Sequence, residues 1–156
     1  MAFLKETERS LRLYFIIVGV IGTLAAFVAL SDATKTSRVP IPTIVTLAIW
    51  FPALARLVLG PAFVVAGVNL RRALENGASG TRQLVKIAAA VLVLEVVLVA
   101  AAVNSLPGAK SAELTGEAMG RALIPLLILW YIHASLKRLA DESQRRIVDT
   151  VGRKFD

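Results

Sequence analysis

The stretches IVTLAIWFPALARLVLGPAFVVAGV (Ile44–Val68) and IAAAVLVLEVVLVAAAV (Ile87–Val103) decide the fold. The first is 25 residues long with Arg56 in thirteenth place, and the second is 17 residues long with Glu95 in ninth. A membrane-spanning helix needs about 20 apolar residues, and a charge at its centre costs about 2.5–3.5 kcal/mol on insertion scales. Two such charges of opposite sign at matching depth are least costly when they face each other. The pattern predicts a small polytopic membrane protein with an intramembrane ion pair.

Two further apolar runs flank these. LYFIIVGVIGTLAAFVAL (Leu13–Leu30) precedes them, and ALIPLLILWYIHA (Ala122–Ala134) follows. The last is short and is interrupted by Pro125 and His133, so it spans only with help from Met119 and Leu136; a re-entrant segment is the alternative. The expected spans are 13–31, 44–68, 85–104 and 119–138. The connections SDATKTSRVPIPT, NLRRALENGASGTRQLVK and NSLPGAKSAELTGEAMGR carry turn residues at Pro40/Pro42, Gly77/Gly80 and Pro107/Gly108. Linkers this short favour sequential neighbours. The expected fold class is all-α: an integral membrane antiparallel four-helix bundle over residues 1–140, with a cytoplasmic helical extension over 141–156.

Composition agrees. The chain is 56% hydrophobic and 6% aromatic, with a mean hydropathy of +0.70, far from a soluble domain of this length. The net charge of +7 would suggest nucleic acid in a soluble protein. Here the basic residues flank apolar runs, so anionic lipid headgroups are the expected partners and nucleic acid is not. The absence of cysteine excludes disulfides and thiolate metal sites, and one histidine cannot supply paired haem ligands. No metal or cofactor is expected.

Lys and Arg set the orientation. Thirteen lie in the amino-terminal segment (Lys5, Arg9, Arg12), the second connection (Arg71, Arg72, Arg82, Lys86) and the tail (Lys137, Arg138, Arg145, Arg146, Arg153, Lys154). The first and third connections hold four: Lys35, Arg38, Lys110 and Arg121. Both termini are therefore expected in the cytoplasm, with Arg71, Arg72, Lys137 and Arg138 contacting headgroups. Ala29-Leu30-Ser31 has the small-x-small pattern of a signal cleavage site. The run before it is too long for a signal core, however, and Glu6 and Glu8 spoil a basic n-region, so a retained anchor is expected.

Arg56 and Glu95 admit three readings. They form a buried pair that sets helix register, they line an ion, proton or headgroup site, or they pair across a protomer interface. Pro52 and Pro61 bracket Arg56 and, with Pro125, are expected to kink their helices; broken helices near a midplane charge are how many transporters build sites. His133 reads as an interfacial residue beside Trp130 and Tyr131, or else as a proton-handling group coupled to Glu95. Gly19, Gly22 and Ala26 on the first span, with Ala88 and Ala102 on the third, permit close backbone approach. Ala88, Val91, Leu92, Glu95, Val99 and Ala102 share one face. After the fourth span, Leu136, Leu139, Ile147, Val151 and Phe155 continue a helical period. That pattern describes a solvated helix leaning on the membrane or on the second connection, or a partner-docking or self-associating one.

The motifs HExxH, GxSxG, paired DxxD and a Walker glycine loop are all missing. The stretch WYIHASLKR (Trp130–Arg138) resembles the end of a bacterial family of four-span proteins of unknown function, through Tyr131, Ser135, Lys137 and Arg138. The resemblance covers about ten of 156 residues and implies architecture. The threonine-phenylalanine ending of that family is absent here. The expected function is a non-enzymatic accessory or assembly subunit, or a homo-oligomer, of a bacterial inner membrane. The alternative is a small transporter or channel using Arg56 and Glu95.

Overall fold

The computed structural model describes residues 2–36, 42–105 and 111–152; the side chains of 2–5, 35–36, 111–114, 121, 146–147 and 149–152 are not among those described. Five helices follow one another: α1 (Ala2–Thr36), α2 (Thr43–Val68), α3 (Leu70–Glu75), α4 (Ser79–Asn104) and α5 (Ser111–Gly152). There is no strand among the described residues. Four helices are long and apolar enough to cross a membrane, over Glu6–Thr34, Thr43–Val68, Ser79–Asn104 and Thr115–Arg145. The turn residues Pro40, Pro107 and Gly108, the cations Arg38, Lys110, Arg153 and Lys154, and Phe155 lie outside the described residues. For Lys5, Lys35, Arg121, Arg146, Ile147 and Val151 only the backbone is described.

Small residues at a seven-residue interval draw the helices together. Gly19, Ala26 and Ala33 are buried on α1, as are Ala53, Gly60 and Gly67 on α2. A seven-residue period keeps one stripe facing a partner helix along its length. Gly60 lies against Gly19 and Thr23, while Gly67 lies against Arg12, Phe15 and Ile16. The approach is close enough to exclude any side chain. A Cβ on Gly19 would stand 2.6 Å from the Gly60 carbonyl oxygen and 2.7 Å from Val64 Cγ2. One on Gly60 would meet the Thr23 hydroxyl, which instead donates to the Gly19 carbonyl at 2.8 Å.

The same interval continues elsewhere. On α4 it joins Thr81, Ala88, Glu95 and Ala102, and on α5 it joins Ala122, Leu129 and Leu136. α1 packs mainly on α2 and α5 mainly on α4, while α2 touches α4 and so joins the two pairs. Pro52, Pro61 and Pro125 lie inside helices that run through them without interruption.

The second connection departs from the expected polar loop. α3 buries Leu70 and Leu74, one turn apart, and α4 begins at Ser79 rather than near residue 85. Between them, the Ala78 N–H donates to the Ala73 carbonyl at 2.6 Å and the Gly77 N–H to that of Leu74 at 3.1 Å. That doubled bond is the Schellman ending of a helix, which needs a left-handed residue; Gly77 supplies it at φ 77°. The apolar core gathers at this end. Leu70, Leu74, Ala78 and Val85 meet Leu11 and Phe15 from α1, Phe63 from α2, and Leu129 to Ala140 from α5. Phe15 and Phe63 stack there, with ring centroids 5.3 Å apart. α5 passes residue 140 without a break, and burial of Leu136, Leu139 and Ala140 lays it against α3. The tail thus begins as a helix leaning on the second connection.

Gly60→Val should lower the unfolding midpoint in detergent, followed by circular dichroism. The overpacking is worth about 1–3 kcal/mol. Nothing lies within 4 Å of an added Cβ at Gly116. Gly116→Ala should therefore be neutral or stabilise by up to about 1 kcal/mol. Equal effects at the two positions would mean that the glycine contact does not hold α1 to α2.

Candidate functional site

Arg56 reaches from the middle of α2 and Glu95 from the middle of α4. Arg56 Nη2 donates to Glu95 Oε2 at 3.1 Å. The two residues meet within one chain. Glu95 is the more enclosed, its side chain 13% exposed against 42% for Arg56. Among the described residues Glu95 is the side-chain partner of Arg56; no backbone oxygen freed by Pro52 or Pro61 takes that place.

Two half-open cavities meet at the pair. The larger, about 390 Å³, runs between α4 and α5 past Val99 and Val103 to Glu117 and Ala118. The smaller, about 210 Å³, is walled by Tyr14, Gly22, Gly60, Phe63 and Leu129. Arg56, Leu92, Glu95 and Pro125 line both. The ion pair is therefore the boundary between a cavity with a second carboxylate at its far end and one walled chiefly by apolar groups. The expected face of α4 is in place: Ala88 and Ala102 are buried, while Val91, Leu92, Glu95 and Val99 border the cavities.

Glu117 and Tyr14 were not evident from the sequence. Glu117 sits in what reads as a polar connection, yet α5 starts at Ser111 and carries it onto the face of Ala118, Ala122 and Pro125. The helical spacing of 117, 118, 122 and 125 was the available signal. Tyr14 reads as the aromatic edge of the first span, and only the packing of α1 on α2 turns it toward Gly60.

His133 is not brought to Glu95. It lines a separate cavity with Ser79, Arg82, Gln83, Lys86 and Lys137. Lys86 and Glu95 are nine residues apart on α4, about 13 Å along the axis. Coupling between the two groups is not supported by this placement. Trp130 and Tyr131 are exposed on the outer face of α5. Arg72, Lys137 and Arg138 are exposed, and Arg71 is paired loosely with Glu75, Nε to Oε1 at 3.6 Å. No group of three or more metal-ligating side chains occurs among the described residues. Comparison of the chain with family models, curated proteins and solved structures found no match.

The geometry makes the two single charge removals unequal. Losing one member of a buried pair costs about 3–5 kcal/mol, whereas replacing both with apolar residues is often neutral or better. Arg56→Leu strands the enclosed carboxylate and should lower stability in detergent by about 3 kcal/mol. Glu95→Leu should cost less, because Arg56 is free to turn into the larger cavity. The double variant should recover most of the loss in a double-mutant cycle. Strictly additive losses would show that the 3.1 Å bond carries no coupling.

Proposed function

We propose that the chain is an integral membrane protein of four antiparallel spans, with both termini in the cytoplasm of a bacterial inner membrane. It acts without catalysis, as an accessory or assembly subunit or as a homo-oligomer. The membrane reading is carried by where the apolar side chains point. Every one of the four long helices turns large apolar residues outward, among them Leu24, Phe27, Val58, Val97, Ile124 and Trp130. Water would penalise such a surface, since soluble monomers expose apolar patches of only a few hundred Å². Lipid accepts it.

The non-catalytic reading rests on the state of the charges. Arg56 and Glu95 satisfy each other, which suits a register-setting staple. A staple leaves the outward faces as the chain's means of engaging a partner or a second copy. A second reading, a small transporter or channel, is favoured by one specific observation: cavities abut the pair on both sides. Removal of the bond would join them.

Topology tests the first part. Reporter fusions after Asp156 and within 35–38 should report opposite sides, the former cytoplasmic, because thirteen cations stand against four. A carboxy terminus on the same side as 35–38 would remove the four-span arrangement, and a periplasmic one opposite a cytoplasmic 35–38 would invert it. The role of the pair is tested in cells with the Arg56→Leu/Glu95→Leu double variant. A stable protein that still recovers its native-membrane partner, or its oligomer, supports the subunit reading. A stable but inactive one moves the assignment to transport.

A further inference from the structure

The cavity that holds His133 has a chemistry of its own. It measures about 350 Å³ and is lined by Ser79, Arg82, Gln83, Lys86, His133 and Lys137. That volume falls at the small end of the roughly 300–1,000 Å³ typical of ligand sites. Its lining contains three basic side chains and no carboxylate. Ser79, Arg82, Gln83 and Lys86 fall on one face of α4 at i, i+3, i+4 and i+7, while His133 and Lys137 face them one turn apart on α5. Among the described residues, Arg56–Glu95 and Arg71–Glu75 form ion pairs, and the lining of this cavity supplies no carboxylate to Arg82, Lys86 or Lys137.

One of the members, Arg82, is pre-positioned. Arg82 Nη2 donates to the Gly77 carbonyl at 3.0 Å, which anchors the guanidinium to the α3–α4 turn and leaves its other N–H groups to bond elsewhere. His133 Nδ1 is buried without a hydrogen-bond partner.

We infer that this cavity is a binding site for a phosphate-bearing anion, held by Arg82 and Lys86 of α4 and Lys137 of α5. A guanidinium and two ammonium groups around hydroxyl and amide donors match the several acceptor oxygens of a phosphate. The proposal rests on the membrane reading for one point only, the source of the phosphate. On that reading the cavity opens at the cytoplasmic edge of the spans, level with Trp130 and Tyr131. An anionic lipid headgroup then has direct access, as does a soluble phosphate.

The test uses the full chain purified in neutral detergent, with short-chain phosphatidylglycerol, short-chain phosphatidylcholine and inorganic phosphate as separate probes. Binding is read by titration calorimetry and native mass spectrometry. Phosphatidylglycerol should bind and phosphatidylcholine should not. Arg82→Gln/Lys86→Gln/Lys137→Gln should weaken binding about 100-fold, at about tenfold per 1.4 kcal/mol and about 1 kcal/mol for each cation. Arg9→Gln/Arg12→Gln/Arg145→Gln removes the same charge elsewhere and should change it less than about threefold. Lys86→Arg/Lys137→Arg should retain it. If the triple variant does not fold, Lys86→Gln and Lys137→Gln singly, both at exposed positions, should each weaken binding about fivefold.

Binding of inorganic phosphate with the same residue dependence, and not of phosphatidylglycerol, upholds the site and makes its source soluble. Equal losses in the two triple variants, or no binding of either probe, overturn it. Alkaline extraction of native membranes separates the two readings. A chain that resists extraction yet binds neither probe refutes the site alone. One that is extracted yet binds inorganic phosphate refutes the membrane reading alone.

Discussion

The bond between Arg56 and Glu95 is a directional tie between the two helix pairs. α1 and α2 are held by small residues in close contact, and α4 and α5 by their own apolar stripe. Apolar packing is not directional and tolerates sliding by a turn. A 3.1 Å bond from a guanidinium to a carboxylate tolerates far less. It fixes the height of α4 against α2, and with it which residues of α5 border the cavities. The placement of Pro125 and Glu117 follows from that height.

Packing is uneven along the helices. At the α3 end, five segments converge on Phe15, Leu70, Ile132 and Leu136, all buried. Beyond the ion pair, toward Val103 and Glu117, α4 and α5 leave the larger cavity between them. Stability is therefore concentrated at one end, and freedom to rearrange lies at the other. Such a division is what local differences in packing density produce. On the proposed orientation the dense end is cytoplasmic. There it brings the basic cavity, the α3–α4 turn and the first turns of the tail onto one rigid base.

The α3–α4 connection shows how a short polar segment becomes part of the core. Leu70 and Leu74 are one turn apart in a stretch otherwise dominated by Arg71, Arg72 and Glu75. Gly77 ends the helix in the left-handed region, and Arg82 closes the turn from the far side by bonding the Gly77 carbonyl. The turn that starts α4 also carries Arg82 into the lining of the basic cavity. Structure and candidate chemistry share the same few residues here.

The sequence by itself determined the all-helical class and the four long apolar segments, and it singled out Arg56 and Glu95 while leaving open whether they meet within one chain. These follow from local composition and from the heavy penalty on an isolated charge among apolar residues, and neither depends on distant contacts. The helical continuation past residue 140 was legible for the same reason. Only the tertiary structure decided that the second connection folds as α3, that Tyr14 and Glu117 border the cavities at the ion pair, and that His133 stands with Arg82, Lys86 and Lys137 rather than with Glu95. Each of those depends on the rotation and height of one helix against another. On α4 the charge and the small residues marked the inward face, but apolar residues surround the other spans, where periodicity alone does not say which face turns inward. Close contact at Gly19 and Gly60 and the single bond at Arg56 choose that face, and both act only once the helices have met.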